Sequence, residues 1–171
     1  MKNRIGAAVA AVLAALAGCG QMPQTPEEFR KAIPGAFLTK TESYEVNRPM
    51  RQVAAAFQKH APDCLNKTVR TTSQTSTSYQ VIVATYKPTV LVNNERAELH
   101  LQRTFERGVV KVHKEPEGGY YLLLADAYPV GSNRTRIELF GPSKGHDVLY
   151  RAINGWATGE NSGCPDLTRI G

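Results

Sequence analysis

From Ala97 to Phe105, the residues Ala97, Leu99, Leu101, Arg103 and Phe105 alternate with Glu98, His100, Gln102 and Thr104. A period of two sends one set to each face of an extended chain, so this stretch predicts a half-buried strand. The neighbouring segments carry the same character. Tyr79 to Tyr86 reads as a strand ending before Lys87-Pro88, Thr89 to Asn93 is apolar, and Asn93-Asn94 marks a turn. Val109 to His113, Tyr120 to Tyr128 and Thr135 to Phe140 follow, separated by Glu117-Gly118-Gly119 and Gly131-Ser132-Asn133. Short Gly/Asn turns at regular spacing predict an antiparallel meander. Lys67 to Gln74 is rich in Thr and Val, although TTSQTSTS also reads as a solvated hairpin connection. TESYEV, ending at Val46, predicts an earlier strand.

Two segments break this pattern with helical spacing. In MRQVAAAFQKHAPDC, Val53, Ala54, Phe57 and Ala61 share one face, and Cys64 continues it. Pro62 predicts the end of the regular helix, with Cys64 just beyond it on the core side. The second helix is expected after Gly141-Pro142-Ser143, with Ser143 as its cap. Val148, Leu149, Ala152, Ile153 and Trp156 form its apolar face, and Gly159 stops it. NSGCPDL then delivers Cys164 past the second helix, as Cys64 follows the first. The expected fold is therefore α+β over residues 41–171. It has one antiparallel sheet of about five to seven strands, with two helices packed on it and a long C-terminal helix.

The N-terminus differs in kind. Lys2 and Arg4 precede an uninterrupted run of Ile, Gly, Ala, Val and Leu from Ile5 to Leu16. Twelve residues are too few to span a bilayer, which takes roughly 20 in a helix. With the small residues Ala17-Gly18 they read as a secretory signal peptide, residues 1–18. Leu16-Ala17-Gly18-Cys19 resembles the lipobox of bacterial lipoproteins at all four positions. That resemblance implies cleavage behind Gly18 and lipidation of the Cys19 thiol. Since the next residue is Gly20 and not Asp, it also implies the outer membrane, facing the periplasm. Two or three acyl chains anchor stably because each buried CH₂ contributes about 0.8 kcal/mol. Residues 19–40 then read as a lipidated N-terminus and flexible tether. Within it, Thr25-Pro26-Glu27-Glu28 has the form of a capping box for a two-turn helix ended by Pro34-Gly35. So short a helix is marginal unless Phe29 and Ile33 dock on something.

The signal removes Lys2 and Arg4, leaving 19 basic against 15 acidic residues, a mild formal +4. Cys64 and Cys164 remain, and in an oxidising compartment an even count favours a disulfide. No metal site is expected, because His60, His100, His113 and His146 form no ligand-spaced cluster with them. The order strand, helix, several strands, C-terminal helix resembles helix-grip folds. Lipid-binding START-like domains and the C-terminal domains of the assembly-factor lipoprotein BamC have that architecture. The resemblance covers residues 41–165 and rests on element order, so it implies a fold and carries over no functional residue.

Sequence motifs for catalysis are missing: there is no G-x-S-x-G elbow, H-E-x-x-H or P-loop. Glu115 and Glu117 flank Pro116 in a turn-like stretch and read as loop charges. Arg103, on the side of Leu99 and Phe105, would need an acidic partner if buried. Nucleic-acid binding has no motif and the wrong compartment. The tyrosines read as half-buried strand residues or, alternatively, Tyr79 and Tyr121 line a ligand cavity with Trp156 beneath the C-terminal helix. Three functional classes follow. The first is a non-catalytic envelope module acting by protein contact, without cofactor, touching the membrane through its lipid. The second binds a lipid or other hydrophobe, and the third is an envelope enzyme.

Overall fold

The computed structural model describes residues 22–74, 79–106, 114–160 and 162–170. The signal segment, Cys19 and the expected strand Val109–His113 lie outside the described residues. The elements run α1 (Pro26–Ala32), β1 (Thr39–Val46), α2 (Met50–Leu65), β2 (Thr68–Gln74), β3 (Tyr79–Val92), β4 (Ala97–Phe105), β5 (Tyr120–Val130), β6 (Arg134–Pro142) and α3 (Asp147–Thr158), with a 3-10 turn at Leu167–Arg169. Among the described residues, six strands form one sheet in the order β1-β6-β5-β4-β3-β2, every pair antiparallel. β2 to β6 form the expected antiparallel meander, except that the segments Tyr79–Tyr86 and Thr89–Asn93 merge into β3 and that β4 pairs directly with β5. β1 closes the far side against β6.

Alternation along the strands assigns the two faces. Ala97, Leu99 and Leu101 on β4, Leu123, Ala125 and Ala127 on β5, and Ile137 and Leu139 on β6 face the main core. α2 covers them with Val53, Phe57, Ala61 and Leu65, and α3 adds Leu149, Ile153 and Trp156. Leu122 forms a bulge, since Leu101 pairs with Leu123 but Gln102 pairs with Tyr121. The extra residue turns Tyr121 onto the opposite face, beside Leu124.

Four expectations need correction. The sheet carries three helices, not two, because α1 docks on the face away from α2 and α3, burying Phe29 and Ile33 against Leu124 and Phe140. The folded unit thus begins at Pro26, and the tether read over 19–40 is docked across most of its second half. Half of the capping box forms: Thr25 Oγ1 accepts from the Glu28 N–H at 3.2 Å, while the Glu28 carboxylate accepts from the N–H of Gln24, one residue before the cap, at 2.7 Å. Second, α2 runs through Pro62 to Leu65. Proline removes one helix hydrogen bond, but Ala61, Cys64 and Leu65 are all held in the core. Cys64 therefore sits in the last turn rather than after it. Third, Tyr79–Val92 is one strand through Pro88. β2 reaches only to Thr68 opposite Thr85, so this half of β3 is an edge that tolerates the missing N–H.

Finally, the C-terminal helix spans 12 residues against 16 for α2, and it starts at Asp147. Ser143 is no cap, since it lies three residues before the cap position; its N–H is bound to the Leu38 carbonyl as the chain leaves β6. His146 occupies the cap position without a side-chain cap bond. Its Nδ1–H donates to the Lys144 carbonyl at 2.7 Å, and burial holds the imidazole below its ordinary pKa. A neutral His146 avoids placing a positive charge at the positive end of α3. At the other end Gly159 adopts φ +86. Arg48 Nη1 donates to the Trp156 and Ala157 carbonyls at 2.9 and 3.1 Å, satisfying groups the helix leaves open.

Cys64 and Cys164 are joined by a disulfide, with Cα atoms 4.9 Å apart and a sequence separation of 100. It fastens the end of α2 to the segment after α3, as the parallel placement of the two cysteines predicts.

Candidate functional site

The polar half of the β4 alternation does not face solvent. Glu98, His100 and Gln102 are 6%, 5% and 8% exposed, and Asp126 opposite Glu98 on β5 is fully buried. Two like charges facing each other across a strand pair destabilise a sheet unless neutralised. α1 supplies the neutralising charge. Arg30 grips Asp126 bidentately, Nε to Oδ2 at 2.6 Å and Nη2 to Oδ1 at 2.8 Å, and Nη2 also donates to Glu98. Arg96 Nε meets the other Glu98 oxygen at 2.8 Å. His100 Nε2 lies 2.9 Å from Glu98 Oε2, and Tyr128 donates to Asp126 at 3.4 Å. Two guanidinium groups thus balance two carboxylates beneath one short helix, with Phe29 and Tyr121 rings packed 5.9 Å apart along its apolar side.

The electrostatics follow from that pairing. Burial alone would raise the Glu98 carboxyl, but hydrogen bonds from His100 and Arg30 and the charges of Arg30 and Arg96 hold it below the usual range. Burial would likewise weaken the Arg30 cation, and Asp126 and Glu98 outweigh it. Because the Glu98 pKa is lower folded than unfolded, its contribution to docking is complete above the ordinary carboxylate range. It is lost as pH falls through the folded value. We expect α1 to stay docked from neutral pH to about pH 5 and to loosen in stronger acid. A pH titration followed by the NMR signals of Phe29 and Ile33 checks this; loosening that begins near neutrality would contradict it.

The ligand atoms of Glu98, His100 and Asp126 lie within 4.8 Å of one another. Two carboxylates and an imidazole form a donor set that a divalent transition metal accepts. With α1 docked, however, Arg30 already occupies both carboxylates, and a divalent cation would have to displace it.

The residues expected to line a ligand cavity are not brought together. Tyr79 is 66% exposed at the start of β3, Tyr121 lies under α1, and Trp156 is in the main core on the other side of the sheet. Trp156 is 2% exposed and stacks on His60, with ring centroids 5.5 Å apart. Arg103 needs no buried carboxylate, as its guanidinium lies 5.0 Å from the Phe105 ring centroid. Tyr86 and Tyr150 are core residues. Burial raises the Tyr150 phenol pKa, and the hydroxyl donates to the Pro142 carbonyl at 3.1 Å.

The Arg30–Asp126–Glu98–His100 cluster escaped the sequence reading. Its signal was present in the two-residue period that puts Glu98, His100 and Gln102 on one side. Polar residues on a strand's second face usually meet water, and nothing local shows that a helix 68 residues upstream covers them.

Neither a protein-family model nor a curated protein matches the sequence. Among solved structures, the chain is similar to Mll3558 from Rhizobium loti, 11% identical over 71% of this chain and 94% of that one, with a TM-score of 0.33. The protein jhp0584 from Helicobacter pylori is 11% identical over 82% and 94%, with a TM-score of 0.36. Norcoclaurine synthase from Thalictrum flavum, in complex with dopamine and hydroxybenzaldehyde, is 13% identical over 66% and 75%, with a TM-score of 0.25. These likenesses are distant and carry no functional argument. The α+β assignment stands on this chain's own strand order and packing.

Proposed function

We propose that this chain is an outer-membrane lipoprotein, anchored through Cys19, whose periplasm-facing domain acts by protein contact and without catalysis. The observation that carries the choice of contact over ligand carriage is the filled space beneath α3. Leu149 and Ile153 are fully buried and Trp156 nearly so, packed with Phe57 and Leu139 where a hydrophobe would have to enter. A carrier needs an enclosed cavity of several hundred cubic ångströms lined by apolar groups; the space of about 310 Å³ beside α3 is instead an open groove, walled by Glu42, Tyr44, Leu139, Tyr150, Arg151 and Asn154. The lipobox motif supports the anchor.

Two measurements test the reading. Cys19→Ser is expected to move the protein from the membrane fraction to the soluble one, and retention of the variant in the membrane would contradict the anchor. Photocrosslinkers at Phe37 and Leu91, which are 90% and 51% exposed, are expected to trap a reproducible envelope protein in intact cells. Failure to trap a partner from either position would count against the contact reading. A native mass exceeding the denatured mass would favour the hydrophobe carrier instead.

A further inference from the structure

We propose that α1 is a releasable latch that sets how far the folded domain stands from the membrane; the inference rests on the Cys19 anchor proposed above. Covalent geometry gives the two reaches. Thr25 is the sixth residue after Cys19, so with α1 docked the tether spans at most about 20 Å. Thr39 is the twentieth residue after Cys19, so with α1 released and unwound it spans up to about 65 Å. A seven-residue helix is marginal without its docking surface, so release and unwinding go together.

The attachment has the composition of a latch. α1 touches the sheet through Phe29 and Ile33 in a small apolar cluster separate from the main core, and through the Arg30 guanidinium. Buried ion pairs contribute little net free energy, because desolvation offsets most of the attraction. Undocking returns Arg30, Glu98 and Asp126 to water together, so no charge is stranded in a dry interior. Glu98 keeps Arg96 and His100, and Asp126 keeps Tyr128. The disulfide, α2 and α3 lie on the opposite face and are untouched by the movement. The connector supplies a hinge at Pro34-Gly35, and within it Leu38 holds φ +57, a left-handed conformation unfavourable for leucine. Contacts of the docked state hold that turn: Thr39 Oγ1 donates to the Ile33 and Ala36 carbonyls, and Ser143 N–H to Leu38.

The test uses the full lipidated chain in phosphatidylethanolamine–phosphatidylglycerol vesicles, with a donor dye at exposed Glu160 and acceptor lipids in the bilayer. Hydrogen exchange of the same preparations reads α1 directly. In Arg30→Ala, α1 amides are expected to exchange at least roughly tenfold faster, the loss of a charge-assisted bond, while β4 and β5 core amides keep their rates. Energy transfer to the bilayer is expected to fall in step. Arg30→Lys, which keeps the charge without the fork, is expected to lie between. Unchanged α1 exchange in Arg30→Ala would overturn the latch, as would opening of α1 only together with the whole domain. Faster α1 exchange with unchanged energy transfer would overturn the control of distance. A chain that carries no lipid would instead overturn the anchor, and the standoff with it, whereas exchange would still show whether α1 opens by itself.

Discussion

Cys64→Ser is expected to destabilise the domain by up to about 4–5 kcal/mol in oxidising buffer, the largest effect of any single substitution here. The cross-link closes a loop of 100 residues, and so removes a large share of the conformations open to the unfolded chain. It joins the last turn of α2 to the segment after α3, so without it the C-terminal residues are held by the burial of Leu167, the packing of Ile170 and the bond from the Ser162 hydroxyl to the Ala152 carbonyl. Urea unfolding of wild type and variant, each with and without reductant, isolates the covalent contribution. Wild type should fall to the level of the variant when reduced, and the variant should not respond. Equal midpoints for the oxidised proteins would contradict a structural role. An intact mass two hydrogens below that of the reduced chain confirms the bridge independently.

Trp156→Ala should be nearly as damaging, at about 3–5 kcal/mol. Its ring is 2% exposed, surrounded by α2 and α3 and stacked on His60. Among the described residues the indole Nε1 has no hydrogen-bond partner, so the loss comes from volume and packing rather than from a broken polar contact. Trp156→Phe should therefore recover much of the stability, because most of the apolar surface returns. Chemical denaturation of both variants measures this. A Trp156→Ala protein as stable as wild type would mean the space under α3 tolerates emptiness, and would revive hydrophobe binding there. Added small apolar ligands should stabilise the alanine variant selectively, since a cavity of this kind stays dry and accepts them.

Sequence periodicity reached the sheet because it follows from local geometry: side chains alternate along a strand whatever lies above it. That placed Leu99 and Leu101 in the core, and helical spacing did the same for Phe57, Ile153 and Trp156. The two cysteines were legible for a related reason. One ends an apolar helical face and the other follows one, and packing both faces on one sheet brings their ends together. The failures were all non-local. Pro62 and Pro88 are breakers by local rule. One is overridden by burial of the residues around it and the other by its place on an edge beyond the reach of β2. Tyr79, Tyr121 and Trp156 share a chemical type, but a bulge at Leu122 and the ends of strands send them to three different environments.

The amino-acid sequence by itself determined most strands of the meander, the two amphipathic helices, the cysteine pair and the Thr25 cap, because each depends on residues within a few positions of one another. Only the tertiary structure decided that α1 docks, and that the polar face of β4 is a buried charge cluster instead of a wet surface. Arg30 and Asp126 stand 96 positions apart, and a carboxylate looks the same in a sequence whether water or a guanidinium lies over it. Which of these covers it depends on the packing of distant elements, and that packing also leaves Glu98 and Asp126 side by side beneath Arg30, with Arg96 on the outer oxygen of Glu98.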